Sequence, residues 1–370
     1  MTSLHELYAR YGQSPWIDNI RRDWLEDGTL RRMVDEGVRG VTSNPSIFAK
    51  ALSTSTAYDE AIARTSGLSV EEVFEELAVQ DVRDACDVLR ALHDDSTVEF
   101  RRGVRRYCDG FVSLEVSPLL ARDSDATVSA ALRLAARVDR PNLLIKIPAT
   151  IPGLSAITEV IAAGVSVNVT LIFSTQRYGE VIAAWSAGLA RAAKEGRDLA
   201  TIASVASFFV SRVDVAVDAM LAEGDVRRGL TANAQVAAAY ELFKERMERE
   251  DVQLLIRQGA QIQRPLWAST STKNPQYDPL LYVNDLVAPD TVNTMPDATL
   301  AATLESPNFA ASLLVDDHQL RETAARLSNL PPTLSLDAVT DQLEVDGVNA
   351  FAASYHELLA TIAAKMAPSP

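Results

Sequence analysis

The sequence predicts an α/β fold, a (β/α)8 barrel with additional helices at the termini and in the long loops. Short β-branched runs alternate with helical stretches along the chain, which is typical of parallel strands joined by helical crossovers. Eight such runs can be counted, the number that closes this kind of barrel. The length of 370 residues suits one barrel with appended helices, although length alone fits two average domains equally well.

The candidate strands are rich in β-branched and aromatic residues. None of them is followed by Gly-x-Gly-x-x-Gly or Gly-x-x-x-x-Gly-Lys, the phosphate-binding loops of open nucleotide-binding sheets. The sequence therefore favours a closed barrel over an open doubly wound sheet. In chain order the candidates are residues 16–17, 40–42, 111–116, 142–147, 165–171, 201–206, 266–268 and 291–293.

Long helical intervals separate some of the strands. After the second strand, Ser69 and Glu72 have the spacing of a capping box and predict the start of an amphipathic helix. Residues 234–250 carry apolar side chains at helical spacing. No repeat or linker marks a boundary, so we expect one domain over residues 1–370, with C-terminal helices from about 296 to 370 packing on the barrel.

Composition limits the classes of function. Hydrophobic residues make up 47% of the chain, as in folded globular proteins, and the formal charge of −15 disfavours binding to nucleic acid or anionic membranes. The apolar runs fall short of the ~20 residues that a membrane helix needs. Cys86 and Cys108 lack the spacing of paired ligands, and the N-terminus lacks a secretory pattern. We therefore expect a cytoplasmic protein, and the four scattered histidines indicate neither a metal site nor a catalytic triad.

Lys146 lies in the apolar run 143–148, which predicts a strand buried on both faces. A lysine in such a strand can extend its ammonium group to water from the strand end, and for an isolated lysine that is the more common arrangement. If the amine stays buried, loss of hydration disfavours the ammonium form and favours the neutral amine, which attacks carbonyl groups. Buried Lys146 would then suit Schiff-base chemistry.

Polar residues recur where the other candidate strands end, and in this type of barrel catalytic groups come from the carboxyl ends of several strands. Taken singly, each also fits a structural role, such as a helix cap at Asp18 or a turn at Asn44 before Pro45. Taken together with Lys146, two carboxylates and several hydroxyl and amide groups are what Schiff-base aldol chemistry requires. The strand-end residues are Asp18, Asn44, Glu115, Asn168, Thr170, Ser207, Ser269 and Thr270.

Five sequence blocks resemble those of the transaldolase family. They are GVTSNPSIF at 40–48, SLEV at 113–116, LIKIPAT at 144–150, NVTLIFS at 168–174 and SFFVSR at 207–212. The resemblance extends from about residue 16 to 295. It implies a barrel of the class I aldolase type, without metal or organic cofactor. It also implies transfer of a dihydroxyacetone unit from sedoheptulose 7-phosphate or fructose 6-phosphate to glyceraldehyde 3-phosphate or erythrose 4-phosphate, in the non-oxidative pentose phosphate pathway.

The same resemblance implies a role for each matching residue. Lys146 would form the Schiff base, and Glu115 with Thr170 would position a water that shuttles protons. Asp18 would exchange a proton with the C4 hydroxyl of the sugar. The substrate-binding residues would be Asn44, Asn168 and Ser207 for the dihydroxyacetone hydroxyls, and Arg212 and Lys273 for the phosphate.

The chain departs from the family pattern at two positions of one loop. Lys273 stands where many members have arginine, and Ser271 stands where relatives often have glycine. The sugar-phosphate partners implied by the resemblance need a local basic site in this acidic chain, which Arg212 and Lys273 would provide. Neither a monomer nor a homodimer is excluded by the sequence.

Two other functions remain open at this stage. A fructose 6-phosphate aldolase shares the fold and the lysine, but that group resembles this chain less closely, because it usually has glutamine at the position of Glu115 and tyrosine at that of Phe209. Its members are also much shorter. A catalytically silent sugar-phosphate binding protein on the same barrel is the second alternative. The complete set of Asp18, Glu115, Lys146 and Thr170 argues against it.

Overall fold

The computed structural model describes residues 2–65 and 67–367, and over these ranges the chain forms a closed parallel barrel surrounded by helices. Each strand pairs with the next along the chain, and the last strand pairs with the first over five residues. The predicted (β/α)8 barrel is thereby confirmed. The strands are β1 (Gln13–Ile17), β2 (Gly40–Val41), β3 (Phe111–Glu115), β4 (Leu143–Pro148), β5 (Val167–Ile172), β6 (Ser204–Phe209), β7 (Gln263–Ala268) and β8 (Thr291–Met295).

The sixth strand lies further along the chain than the sequence predicts. Thr201, the first residue of the predicted run, lies in a 3-10 helix (Leu199–Thr201) that is capped by Asp198, whose side chain accepts a hydrogen bond from the N–H group of Ala200. This local cap stabilises a tight turn through Thr201, and the paired strand begins only at Ser204. Ser207 therefore lies inside β6 and does not follow it.

Helices cover the outside of the barrel and both of its ends. The predicted capping box is present at the start of the helix that follows residue 69, where Ser69 and Glu72 each bond to the backbone of the other. The helices are α1 (Ser3–Tyr11), α2 (Arg22–Glu26), α3 (Thr29–Asp35), α4 (Pro45–Thr54), α5 (Asp59–Ala63), α6 (Val70–Val88), α7 (Arg90–Arg101), α8 (Ser124–Val138), α9 (Ile151–Ala162), α10 (Thr175–Lys194), α11 (Ser211–Asp218), α12 (Thr231–Met247), α13 (Glu250–Arg257), α14 (Leu281–Asn284), α15 (Asp297–Glu305), α16 (Asp317–Ala325) and α17 (Leu336–Met366). Within the described residues, no helix is long and apolar enough to cross a bilayer.

Helix α17 crosses the carboxyl end of the barrel. Near its start Glu344 forms an ion pair with Arg177 of α10, with an N–O distance of 3.3 Å. Further along, Ser354 shares a hydrogen bond of 2.7 Å with Ser46 of α4. Its last turns are tied to α5 by an ion pair from Lys365. The helix is thus attached to helices on different sides of the barrel and spans the strand ends between them.

A buried ionic cluster occupies the interior of the barrel at the opposite end. Asp109, just before β3, accepts hydrogen bonds from Ser14, from Arg39 at 2.9 Å and from Arg264 at 3.2 Å. Burial alone would raise the pKa of Asp109, but the two guanidinium groups and the Ser14 hydroxyl outweigh it and hold the pKa below its ordinary value. Strands β1, β3 and β7 are joined through this one carboxylate.

We expect Asp109→Asn to lower the free energy of unfolding by about 3–5 kcal/mol, because it leaves buried Arg264 without its counter-charge. A depressed pKa stabilises the folded state above the ordinary carboxyl pKa, and this contribution is lost as the pH falls through the folded value. The difference in urea midpoint between the variant and the parent protein should therefore shrink below about pH 4. Asp251→Asn, which removes an exposed ion pair, is the control and should change little. A variant as stable as the parent at neutral pH contradicts the prediction.

Candidate active site

A cavity of about 130 Å³ opens at the carboxyl ends of the strands, beneath α17. Two of the site residues predicted from the sequence, Glu115 and Asn168, do not line this cavity and lie behind its wall. Phe351 of α17 also contributes to the lining. The predicted site residues that line the cavity are Asp18, Asn44, Lys146, Thr170, Ser207, Arg212 and Lys273.

Lys146 lies on β4 with its side chain in the barrel interior, and the residue is 4% exposed. Its Nζ atom donates a hydrogen bond of 3.2 Å to the carbonyl oxygen of Ser43 and lies 3.3 Å from Oε2 of Glu115. The ring of Phe351 is centred 5.5 Å from the same nitrogen. The amine is therefore held at the cavity wall and does not extend to bulk water.

Glu115 is the carboxylate closest to this amine. Burial raises the pKa of Glu115 to about 7, although the nearby Lys146 acts in the opposite direction. A carboxyl group with such a pKa can both accept and donate a proton near neutral pH. Its Oε2 atom is buried with the Lys146 amine 3.3 Å away, and the hydroxyl of Thr170 is buried without a hydrogen-bond partner among the described residues. The Thr170 hydroxyl is thus available to a small polar molecule.

Asp18 follows β1 on another side of the cavity. Its backbone N–H donates to the carbonyl of Met295 at the end of β8, and its carboxylate accepts a 2.6 Å hydrogen bond from Thr42. Burial raises the pKa of Asp18, while Lys146 and the Thr42 hydroxyl lower it. Thr294 lies 2.7 Å from the Thr42 hydroxyl, so the carboxylate is oriented by a chain of two hydroxyl groups.

Asn168 and Ser207 are bonded to each other. Ser207 donates a 2.7 Å hydrogen bond to Oδ1 of Asn168, and the Asn168 amide donates to the hydroxyl of Ser113 at 3.0 Å. Asn168 is fully buried, whereas Ser207 faces the cavity. Asn44 caps α4 with its Oδ1 atom, which accepts a hydrogen bond from the N–H group of Ile47 at 3.0 Å. The Asn44 and Ser207 side chains thus have fixed positions at the cavity wall.

Arg212 and Lys273 form the basic side of the cavity. Burial lowers the pKa of Arg212, and no carboxylate of the described residues opposes the shift. Burial and then the charge of Arg212 lower the pKa of Lys273, which Asp18 partly raises. The Lys273 ammonium donates a hydrogen bond of 2.6 Å to Ser271 of the same loop. Within the part of the chain that the structure describes, neither cation forms an ion pair with a carboxylate, so the two together are suited to an anionic ligand.

Two strand ends beside the cavity have unusual backbone conformations. Leu171 in β5 has φ of 58°, and Ser269 directly after β7 has φ of 59°, both in the left-handed region. The pairing of β5 with β6 shifts register between Val169 and Ile172, a strand irregularity that includes Leu171. Left-handed conformations of residues other than glycine concentrate at functional sites.

A model of the transaldolase and fructose-6-phosphate aldolase family matches residues 15–362. The chain belongs to this family. The "Transaldolase" of Saccharopolyspora erythraea is 45% identical over 368 residues, covering 96% of both chains. "Transaldolase 1" of Streptomyces coelicolor is 46% identical over 363 residues, covering 96% of this chain and 92% of its own, and "Transaldolase 2" of Nostoc punctiforme is 39% identical over 384 residues, covering 99% and 98%.

The structure also shows groups at the cavity that were not predicted from the sequence. Thr42 and Thr294 orient Asp18, and the carbonyl of Ser43 holds Lys146. Thr42 and Ser43 lie within a family block, which was the one available signal for them. Phe351 lies more than 200 residues after Lys146, and its place in a long apolar helix stripe gave no indication of a site.

Proposed function

We propose that the protein is a transaldolase that transfers a dihydroxyacetone unit from a ketose phosphate to an aldose phosphate through a Schiff base on Lys146. The observation that carries the proposal is the contact of 3.3 Å between the buried Lys146 amine and Glu115, at the wall of a cavity that is also lined by the cations Arg212 and Lys273. Membership of the family narrows the reaction to aldol chemistry, and the relatives are named as transaldolases.

The first step forms the Schiff base. The Lys146 amine attacks the C2 carbonyl of fructose 6-phosphate or sedoheptulose 7-phosphate, and the resulting carbinolamine loses water to give the imine. Glu115, with a pKa near 7, supplies and recovers the protons of these steps. Thr170 has a buried hydroxyl available to hold the water molecule beside it, so we assign these two residues to proton transfer through water.

The second step breaks the C3–C4 bond. Asp18 removes the proton of the C4 hydroxyl, the aldose phosphate leaves, and the bond electrons pass to the imine, which leaves a three-carbon enamine on Lys146. Asn44, Ser207 and, through its bond to Ser207, Asn168 hold the hydroxyl groups of this fragment. An acceptor aldose phosphate then enters, the steps reverse, and hydrolysis frees the amine.

Arg212 and Lys273 bind the phosphate of donor and acceptor in this proposal. A guanidinium group can bind two phosphate oxygens at once, and its partly buried position strengthens the interaction. Lys273 is more exposed and acts as a second, single charge.

We expect Arg212→Ala to raise the KM for fructose 6-phosphate by about 10- to 100-fold, because one charge-assisted phosphate contact is worth about 1.5–3 kcal/mol. The KM for unphosphorylated fructose should change much less. Steady-state kinetics with both sugars measures the effect, and Arg249→Ala, which lies in an exposed ion pair, is the control. Equal effects on both sugars would remove Arg212 from the phosphate site.

The test of the whole proposal is chemical trapping followed by an acceptor assay. The protein is incubated with fructose 6-phosphate and reduced with borohydride, and the peptide carrying an added three-carbon unit is located by mass spectrometry. Label on the peptide that contains Lys146, together with formation of sedoheptulose 7-phosphate when erythrose 4-phosphate is added, is the expected result. Label with release of free dihydroxyacetone and no transfer would indicate an aldolase. A folded protein without label would indicate a sugar-phosphate binding protein.

The proposed function also has an expected cellular location and expected binding partners. Both cysteines are free and buried, which suits a reduced compartment, and we propose a cytoplasmic location. The partners are sugar phosphates, and the charge of −15 disfavours nucleic acid and anionic membranes. A monomer and a homodimer are both compatible with this function.

A further inference from the structure

Phe351 is a cavity residue that the mechanism above does not use. It comes from α17, outside the barrel, and is 5% exposed. Its ring is centred 5.5 Å from the Lys146 nitrogen and lines the same cavity as Asp18. An aromatic ring at this distance contacts the nucleophile with carbon atoms only and provides neither a proton donor nor an acceptor.

The position of this ring is fixed by the packing of α17. Gly347, one turn earlier, lets the helix approach the barrel closely, because a Cβ atom there would lie 3.0 Å from the side chain of Leu171 and 3.6 Å from Nη1 of Arg212. Tyr355, one turn later, packs edge-on against Phe74 of α6 at 5.7 Å between ring centroids. Phe351 therefore lies between two anchored turns, and its ring has little freedom to leave the cavity.

A transferase of this kind has to protect its intermediate. The enamine carbon on Lys146 can attack the aldehyde carbon of an acceptor, whose oxygen then takes a proton from Asp18. Alternatively the enamine carbon takes a proton from solvent, water adds to the imine carbon, the C–N bond breaks, and free dihydroxyacetone leaves while the Lys146 amine is regenerated. The two outcomes differ in whether the carbon meets an aldehyde or a proton donor first, so exclusion of water from this carbon favours transfer.

We propose that Phe351 is a specificity-determining residue, whose ring shields the enamine on Lys146 from solvent protons and so favours transfer over release of dihydroxyacetone. This inference rests on the proposed function and adds a residue from the C-terminal helix to the site. Glu115 and Thr170 still deliver water to the imine carbon, because they approach from the strand ends and not from α17.

The experiment compares Phe351→Leu and Phe351→Ala with the parent protein. Release is measured as dihydroxyacetone formed from fructose 6-phosphate alone, and transfer as sedoheptulose 7-phosphate formed when erythrose 4-phosphate is present. We expect the ratio of release to transfer to rise by about tenfold or more in Phe351→Ala and by less in Phe351→Leu, which keeps part of the cover. In D2O, free dihydroxyacetone should exchange its carbon-bound hydrogen faster with Phe351→Ala than with the parent.

Phe309→Leu is the matched control, because it truncates a buried phenylalanine whose ring packs against Tyr11 and does not line the cavity. It should leave the ratio unchanged. An unchanged ratio and exchange rate in both Phe351 variants, with Lys146 still trapped by borohydride, overturns the inference and leaves the proposed function intact. Equal increases in Phe309→Leu and Phe351→Leu also overturn it, because general loosening of the protein would then be the cause. A parent protein that neither transfers nor traps on Lys146 overturns both proposals.

Discussion

Replacement of Lys146 by methionine should lower transfer from fructose 6-phosphate to erythrose 4-phosphate by about 10⁴-fold or more, because the covalent route disappears with the amine. Methionine is close to lysine in length and fills the site on β4 without a cavity. Loss of the nearby positive charge removes an influence that lowers the pKa of Glu115, so this buried carboxyl becomes easier to protonate and is not left as an unpaired charge. The variant should therefore fold, and we expect no product trapped by borohydride.

Lys244→Met provides the control for this experiment. Lys244 forms an ion pair with Asp317 on the surface, remote from the cavity, so its loss should leave both transfer and trapping unchanged. Both the transfer activity and the amount of adduct trapped by borohydride are measured for each variant. If Lys146→Met retained transfer within a few-fold of the parent, another nucleophile would have to be responsible, and the reading of the 143–148 run as a catalytic strand would be wrong.

The barrel could be predicted from the sequence because its signal is repeated. Each parallel strand is buried on both faces and reads as a short apolar or β-branched run, and each run alternates with helical spacing. The boundaries of a strand are harder to predict where a local side-chain hydrogen bond favours a turn instead. At Asp198 a side-chain cap forms a 3-10 turn, and the strand then continues through Phe208 and Phe209, beyond the predicted end. Residue preferences along the sequence do not show whether one local hydrogen bond stabilises the chain more than the backbone hydrogen bonds to a neighbouring strand.

The site was predictable to the extent that it lies on strand ends. Lys146, Glu115 and Asp18 come from three strands, and the barrel topology alone requires their ends to meet. The structure brings Lys146 and Glu115 into contact and places Asn168 behind Ser207. The alternation of side chains along a strand does not predict which inward-facing residue reaches the cavity and which stays behind it. The contribution of α17 could not be predicted, because no local pattern specifies across which end of a barrel a distant helix packs.

Substitution of Asp18 should separate two steps of the reaction, formation of the Schiff base and cleavage of the C3–C4 bond. We expect Asp18→Asn to lower the turnover of fructose 6-phosphate by about 10²–10⁴-fold, because an amide cannot take the proton of the C4 hydroxyl. The hydrogen bond from Thr42 can be retained, since the asparagine oxygen also accepts it, and Lys146 and Glu115 are untouched. Schiff-base formation should therefore proceed while cleavage fails. Borohydride should then trap the intact six-carbon sugar phosphate on Lys146, where the parent protein traps a three-carbon unit.

Glu115→Gln is the matched comparison, because it makes the same change of carboxylate to amide on the other side of the amine. In that variant we expect adduct formation itself to slow, since Glu115 is assigned to the protons of carbinolamine formation and loss of water. Once formed, the adduct should cleave normally and appear as the three-carbon species. The mass of the trapped product thus reports which carboxylate serves which step. If both variants trapped the same species at the same rate, the division of roles between Asp18 and Glu115 would be wrong, even with Lys146 as the nucleophile.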